Sequence, residues 1–393
     1  MKKPLVFILC NAMDDELRLS RSISTDSPAA SRKVFMLCQS LRLAGLRPIV
    51  LSLGRGKANG TRLFFGKVIK KVNGVPVIYA PFTHVRFLSE LISLLYFILP
   101  ILKLSSLTLR SIIFYNRMPA YIPSLLVGYF FGYKCLIDLE DGEVLFKEKK
   151  SLKTKITNFI PYLFDRFTNS GALLACSALS KMTNVRPVLC YYGTSADAEE
   201  PRSFDGDVLR FLVSGTLESE TGIDMLLDAL AIIKDNKPAW INQVIFEVTG
   251  KGTYLDLLSK LSFNSNLPRI IVHGRATDVE YRNIISHCDV GLALKPVSGE
   301  LANTTFPSKV IEYASAGLLV LSTDISDVRK LFDTGAVYLE SNQALELVNA
   351  IEKIYNDRVF ARETALIGHN VIKSKLSSID VGNQVKNFIF EGL

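Results

Sequence analysis

The chain has cysteines but no spacing that would use them. The six, at positions 10, 38, 135, 176, 190 and 288, include no Cys-x-x-Cys pair. Most lie in apolar runs, so they read as small buried residues in a reducing compartment, not as zinc ligands or a disulfide framework. Zinc-finger spacing and an RNP-like motif are also missing, which argues against nucleic acid as the partner. No apolar run is long enough for a membrane-spanning helix, which needs ~20 residues. The most apolar stretch, 85–104, has an uncharged core of twelve residues, Leu91 to Leu102, between Glu90 and Lys103. A second uncharged run, 118–133, is broken by Pro119, Pro123 and Gly128. Both read as helices flanking a sheet. The amino-terminal apolar run is only six residues and Asn-Ala-Met-Asp-Asp-Glu follows, so a first core strand is expected there in place of a secretory leader.

What is present is length, apolar content and lopsided charge. The 393 residues allow two domains of ordinary size, and 48% are hydrophobic, with mean hydropathy +0.24. Residues 1–200 hold 27 Lys/Arg and 14 Asp/Glu, a net +13, whereas residues 201–393 hold 19 and 24, a net −5. A basic half joined to an acidic half suggests that the first meets an anionic surface. Lys147 to Lys155 is a basic run of the kind that more often marks a solvated helix face. Arg86, Lys103, Arg110 and Arg117, near the two apolar stretches, favour membrane-surface contact.

Residues 303–323, Asn-Thr-Thr-Phe-Pro-Ser-Lys-Val-Ile-Glu-Tyr-Ala-Ser-Ala-Gly-Leu-Leu-Val-Leu-Ser-Thr, predict a loop, a short helix and a buried strand. Pro307 suits a first helical position, where its missing N–H is not needed. Val310, Ile311 and Ala314 make one apolar face. Gly317 supplies the positive φ of a helix end, and 318–321 is a strand buried on both sides. Amides near Ser308 and Lys309 would open toward an anion, with Glu312 one turn on. An ammonium, amides and a carboxylate within ~7 Å, at a 1.5 Å rise per residue, suit a nucleotide: phosphates at the helix tip, ribose hydroxyls on the acid.

Strands and helices alternate along the rest. Residues 5–10 form a strand, 11–27 an irregular loop, and Ser27-Pro28 opens a helix that stops at Gly45 before the strand 48–53. Segments 67–72 and 75–79 read as a hairpin or as two short strands around Asn73-Gly74, a turn dipeptide. Strands 112–115 and 135–139 end in Asn116-Arg117 and Glu140-Asp141-Gly142-Glu143, and strand ends of this kind face the ligand crevice. Strands follow at 173–176 and 188–191, and residues 194–207, rich in Ser, Asp, Glu and Pro, read as a linker. Beyond it come strands at 209–214, 244–249, 270–272 and 290–294, with helices at 224–233, 278–287, 344–355 and 359–367. The spacing predicts parallel sheets in an α/β fold.

Glu312-Tyr-Ala-Ser-Ala-Gly-Leu-Leu-Val resembles the second half of the signature of the retaining glycosyltransferases of family 4, also called group 1, which have the GT-B fold. That signature has a glutamate eight positions earlier; here the place falls on Thr304. More weakly, the resemblance covers nearly the whole chain. It implies two Rossmann-like doubly wound domains facing a central cleft: an acceptor-binding domain over residues 1–200, a nucleotide-sugar-binding domain over 207–375, and a last segment, 376–393, crossing back onto the first. Glu312 would hold the ribose and the amides of Ser308 and Lys309 the diphosphate, with Thr305, Phe306 and Pro307 in the donor loop. Gly215-Thr-Leu-Glu-Ser-Glu-Thr-Gly222 takes the place of the family loop whose Arg and Lys grip the diphosphate, but both positions are threonine, Thr216 and Thr221. Two lost cations weaken compensation of the leaving group's charge. Lys309 would partly replace them, with Lys251 or Arg275 also able to approach. Gly274 and Arg275 would lie near the base. Glu140 and Asp141 stand where the family has a His-Asp pair, and none of the four histidines aligns with that histidine. Glu300 is the acid nearest Thr304, with four residues of slack to reach the donor sugar. The catalytic candidates are therefore Glu140, Asp141, Glu300 and Thr304, and the acceptor candidates Asn116 and Arg117. The family generally needs no metal, so no cofactor is expected.

The resulting expectation is a transferase moving sugar from a nucleotide-sugar to a lipid-linked or oligosaccharide acceptor in surface-polysaccharide synthesis. It would be cytoplasmic, in peripheral contact with an anionic membrane at the inner face of the plasma membrane. A catalytically degenerate sugar-binding or partner-binding protein is the alternative, for which Thr216 and Thr221 speak. A nucleotide-sugar epimerase of the same architecture is the third; it would release an epimerised sugar without acceptor.

Overall fold

The structure, a computed structural model, describes residues 3–59, 62–83, 85–142, 152–195, 198–298 and 302–391; of residues 86, 87, 90 and 152–158 it describes the backbone alone. Glu143, Glu300 and Lys147 to Lys150 lie outside the described residues. Two compact units emerge, Met1–Thr194 with Ser378–Leu393, and Ser195–Ser377.

In the first unit β1 (Leu5–Cys10) is buried at every residue. The segment expected as an irregular loop contains a short helix, α1 (Asp15–Ser20), because Asp14 accepts from the Leu17 amide at 3.1 Å and caps it. Ser27 caps α2 (Pro28–Leu43), with Pro28 in the first turn. Next come β2 (Arg47–Ser52), β3 (Phe64–Phe65), β4 (Val68–Val72), β5 (Val75–Tyr79), β6 (Phe82–Thr83), α3 (Arg86–Lys103), β7 (Arg110–Tyr115), α4 (Ile122–Phe130), β8 (Lys134–Leu139), α5 (Leu152–Phe167), β9 (Ala172–Leu174) and β10 (Val188–Cys190). The main sheet has the order β10-β9-β8-β7-β1-β2-β5-β4. All its pairs are parallel except the β4–β5 hairpin, whose Asn73 and Gly74 have φ of 49° and 77°, as a two-residue hairpin turn requires. The chain starts at the middle strand, winds one way to β4 and returns to β7 on the other side of β1. A ligand crevice is expected at the carboxyl ends around that reversal.

Two helices carry apolar faces that the sheet does not cover. On α3, Phe97 and Ile101 are buried, while Leu91, Leu95 and Leu99, four residues apart, are 53%, 57% and 60% exposed. Phe130 and Phe131 are exposed at the end of α4. Among the described residues no helix is long and apolar enough to cross a membrane. Of the cations expected beside these helices, Lys103 is exposed, but Arg110 donates to the Phe131 carbonyl at 2.6 Å and lies over the Tyr133 ring, and Arg117 is internal.

The second unit contains β11 (Leu209–Thr216), α6 (Ile223–Asn236), β12 (Val244–Lys251), α7 (Leu255–Leu261), β13 (Arg269–Gly274), α8 (Asp278–Ser286), β14 (Val290–Ala293), α9 (Lys309–Ser315), β15 (Leu319–Thr323), α10 (Val328–Phe332), β16 (Val337–Leu339), α11 (Ala344–Asn356) and α12 (Arg358–Lys375). Its sheet, β13-β12-β11-β14-β15-β16, is parallel throughout and reverses between β11 and β14. Large apolar side chains fill its core, among them Phe211, Phe246, Leu319 and Leu321, all enclosed. The polar segment expected as a linker is part of this unit. Glu199 N donates to Ser315 O at 2.8 Å, Arg202 N to Gly317 O at 2.9 Å, and Arg202 Nε to Cys288 O at 2.9 Å. Backbone pairing, which composition does not reveal, holds it there.

The last helix, α13 (Ser378–Phe390), belongs to the first unit and lies along α2. Gly382 permits the approach: a Cβ there would stand 2.1 Å from the Ser40 carbonyl oxygen. The six cysteines are all free thiols, and five are buried.

Candidate functional site

In the second unit the reversal between β11 and β14 brings two loops to the same end of the sheet. The first leaves β11 through Gly215, at φ 120°, and tightens into a single turn over Ser219–Thr221. Thr221 Oγ1 donates toward Thr216 O at 2.6 Å and Glu218 O at 2.8 Å, and accepts from Glu218 N at 3.3 Å. Gly222, at φ 82°, closes the turn against β14, where a Cβ would meet the Leu294 carbonyl oxygen at 1.8 Å. The positions expected to lack cations are thus occupied by a turn that hydrogen-bonds to itself. Its Glu218 carboxylate accepts from Thr253 Oγ1 at 2.5 Å and Thr253 N at 2.8 Å, and these bonds hold its pKa below the usual glutamate range.

The second loop arrives from β14. Thr304 and Phe306 are buried, Thr305 and Pro307 half-buried and Ser308 exposed. Helix α9 begins at Lys309, two residues later than Pro307 would have it, and Val310 N donates back to Pro307 O at 3.0 Å. The amides of Ser308 and Lys309 precede that first turn, where a helix has no carbonyl to offer. Gly317, at φ 75°, ends the helix, with Leu318 N returning to Tyr313 O at 3.0 Å.

Lys309 and Glu312 meet on α9, Nζ to Oε2 at 2.6 Å, with both side chains partly exposed. Lys309 also lies over the Tyr281 ring, 5.0 Å from its centroid, with Nζ 3.4 Å from the hydroxyl. Tyr281 OH is 3.1 Å from Ser214 Oγ, which is 3.0 Å from Tyr313 OH. A chain of hydroxyls therefore runs from the buried Tyr313, whose phenol burial pushes up, to the ammonium. Sequence reading missed Ser214, Tyr281 and Tyr313, which come from three elements. An i,i+3 ion pair this open is worth on the order of 0.5 kcal/mol. A charge-assisted hydrogen bond to an anion is worth about 1.5–3 kcal/mol. Lys309 can accordingly exchange its carboxylate for an incoming phosphate, leaving Glu312 to accept from hydroxyls. Gly274 ends the edge strand β13 at the same side of the sheet, its carbonyl accepting from Thr249 Oγ1 at 3.0 Å, and Arg275 beside it is exposed.

The strand ends of the first unit correct several expectations. Arg117 does not present itself to an acceptor: its side chain is 1% exposed, donating to Asp165 Oδ1 at 2.7 Å and Met182 O at 3.1 Å. Asn116, at φ 59°, uses its side-chain oxygen to hold Glu140 N at 2.9 Å. Both residues brace the fold. Glu140 pairs with Lys33 at 2.5 Å, and Lys33 also donates to Tyr191 O at 3.2 Å. Asp141 is exposed, and the inner acid is instead Asp138. Burial first, then the Glu140 charge, pushes the Asp138 carboxyl well above the usual range. The signal is present in the sequence: 138 and 140 lie on one face of a strand, whereas the adjacent residues 140 and 141 do not. The chain also carries an Asp-x-Asp triplet, Asp205-Gly206-Asp207, but Asp205 pairs with Arg362 at 2.6 Å.

Residues 196–369 match the family model described as "Glycosyl transferases group 1". No curated protein matches the chain in sequence. Among solved structures it is similar to HepE of Anabaena in complex with UDP, at 13% identity and TM-score 0.63 over 97% of this chain and 98% of that one. It is similar to the sucrose-phosphate synthase of Thermosynechococcus elongatus, at 14% and 0.64 over 98% of each. WaaG, a glycosyltransferase involved in lipopolysaccharide biosynthesis, shares 14% and 0.62 over 99% of this chain and 100% of that one. At these identities the likeness is one of fold, the GT-B type built from parallel Rossmann-like sheets.

Proposed function

We propose that this chain, whose second unit matches the group 1 glycosyltransferases, is a retaining transferase that moves a sugar from a nucleotide-sugar to an acceptor. One observation carries the reading: the family match spans residues 196–369, and within that span Lys309 and Glu312 stand together where the sheet reverses. The diphosphate takes Lys309 from Glu312 and accepts from the amides of Ser308 and Lys309, and the released carboxylate accepts from the ribose. As the bond from the sugar to the diphosphate breaks, negative charge grows on the leaving oxygen. Lys309, steadied by Tyr281, meets that charge. UDP and UDP-sugars are sensible first donors to try, because HepE has been seen with UDP and with UDP-glucose.

A lipid-linked acceptor at the inner face of the plasma membrane is supported by the exposed leucines of α3 and the net +13 of residues 1–200. Contact is peripheral: the leucine face lies on the bilayer boundary and basic side chains meet anionic headgroups. Glu140, paired with Lys33, and the exposed Asp141 follow β8 and are the acids of the first unit that would orient sugar hydroxyls.

The test is a screen of UDP-, GDP-, dTDP- and ADP-sugars by thermal shift, since a ligand bound by the folded state alone raises its stability. Glu312→Ala is then expected to lower turnover with the selected donor by at least ~10-fold. Unchanged kinetics would remove Glu312 from the site. A second reading, a binding protein without turnover, is favoured by the self-closed 216–222 turn and its acid Glu218. Under that reading a nucleotide-sugar binds but is not consumed, and Thr216→Arg with Thr221→Lys restores turnover if charge alone is lacking.

A further inference from the structure

Two acids meet at the carboxyl end of β8. Asp138 lies in the strand and Glu140 just beyond it, so that, two residues apart, they fall on one side of the sheet. Their side chains share a hydrogen bond. One neighbour fixes the backbone that carries them: Asn116 N donates to Asp138 O at 2.7 Å, and Asn116 Oδ1 accepts from Glu140 N at 2.9 Å. Asp138 is 1% exposed, and its Oδ1 has no hydrogen-bond partner among the described residues. From α2, Lys33 Nζ reaches Glu140 Oε1 at 2.5 Å and lies over the Tyr191 ring, 4.6 Å from its centroid. The buried Tyr191 hydroxyl likewise has no partner among the described residues.

A hydrogen bond between two carboxyl groups needs a proton, because carboxylates only accept. The Lys33 ammonium stands against Glu140, and burial favours the uncharged form of Asp138, so the shared proton rests on Asp138. Burial first, then the Glu140 charge, holds the Asp138 carboxyl well above its ordinary range, against a smaller pull from Lys33. Around the pair, Tyr115 of β7 and Tyr191 after β10 are phenols pushed up by burial and then by the two acids. The thiols of Cys10 in β1 and Cys38 in α2 are pushed up by burial. These four groups are uncharged at neutral pH, and Asp141, the next residue, is exposed. With the proton in place the cluster pairs one negative charge with one positive. Without it, two negative charges face a single ammonium, and repulsion drives the more accessible Glu140 off Lys33 toward solvent.

We propose that Asp138 is a positioning residue for the acceptor side of the reaction: it donates a hydrogen bond to Glu140 and so holds Glu140 and Lys33 at the end of β8, where Glu140 meets a sugar hydroxyl. The meeting with a hydroxyl rests on the transferase reading; the shared proton does not. Acceptor use therefore falls as pH rises far enough to ionise Asp138.

The first measurement is infrared difference spectroscopy of the full chain carrying isotope-labelled aspartate. A protonated carboxyl has a carbonyl band apart from those of carboxylates. The parent is expected to show a label-sensitive band at neutral pH that Asp138→Asn lacks. Glu140→Gln removes the neighbouring charge and is expected to weaken proton binding at Asp138 by at least ~10-fold, so that the band is lost at lower pH. No band at neutral pH, or a band that titrates alike with and without Glu140→Gln, overturns the proposal. The second measurement follows release of nucleoside diphosphate from the nucleotide-sugar selected by thermal shift, with glucose as the acceptor probe. In the parent, kcat/KM for glucose is expected to fall at the pH where the band is lost. Asp138→Leu, which keeps the branched shape without a donor, is expected to lose at least ~10-fold at neutral pH. Asp138→Asn, which still donates, is expected to recover most of that loss and to show no alkaline fall. Equal rates in the Leu and Asn variants, with unfolding midpoints like the parent's, reject the positioning role. Should Asp138→Leu fail to fold, the Glu140→Gln titration and the Asp138→Asn pH profile decide alone. A band linked to Glu140 in a chain that binds no nucleoside diphosphate keeps the shared proton and rejects the transferase reading.

Discussion

Lys309 and Arg117 hold comparable places, each following a reversal of a parallel sheet, and they meet different fates. Lys309 is joined to Glu312 on its own helix, with both side chains partly exposed. Arg117 is joined to Asp165 across the first unit, with its side chain 1% exposed. The first pair can be exchanged for a ligand at little cost; the second cannot, because opening it would leave a buried charge without its partner. A strand end thus locates a site, but the neighbouring elements decide whether its charge faces a ligand or holds the fold. Arg55 and Lys57, on the loop after β2, do line a cavity of the first unit.

Four variants probe this contrast. Lys309→Ala is expected to do most: it should cut turnover of the selected nucleotide-sugar by ~100-fold, as loss of a transition-state donor does, while the urea midpoint stays put. A large stability loss would make Lys309 structural. Arg117→Ala should do the opposite, destabilising the chain by about 3 kcal/mol in urea unfolding, the scale for breaking a buried pair. Wild-type stability with weakened acceptor binding would return Arg117 to the acceptor site.

Asp138→Asn should raise stability at neutral pH and flatten its pH dependence. The folded carboxyl titrates well above its ordinary 3.8, so its favourable contribution is complete below that value and is lost as pH rises through the folded pKa. Asparagine has no proton to lose. Chemical denaturation from acid to neutral pH tests this, and an unchanged slope would place the charge elsewhere. Tyr281→Phe should do least. It removes the hydroxyl between Ser214 and Lys309 and should lower turnover by ~3-fold, one neutral hydrogen bond, with the donor's thermal shift retained.

How far the sequence reaches depends on how local the cause is. The helix 28–43 is legible because its cap, its first-turn proline and its terminating glycine are neighbours. The 303–323 stretch is legible in the same way, and it carries both Lys309 and Glu312. Short elements such as α1, α7, α10 and β16 are not, having too few residues for a period to show. The site partners are harder. Tyr281 and Ser214 lie 67 residues apart, and Lys33 and Glu140 lie 107 apart, so only the fold brings them together. The loop after β2 gives no sign in the sequence of how firmly it is held, because the buried Arg21 and Asn11 fix its backbone from elsewhere in the chain.

Whether Lys309 grips the phosphates is decided by titration calorimetry of nucleoside diphosphates against the full chain and its Lys309→Ala variant. At least one of UDP, GDP, dTDP and ADP is expected to bind the parent, and the variant is expected to bind it at least ~10-fold more weakly, the loss of a charge-assisted bond. Binding of equal strength to both proteins would contradict this, because the phosphates would then be held somewhere other than the start of α9.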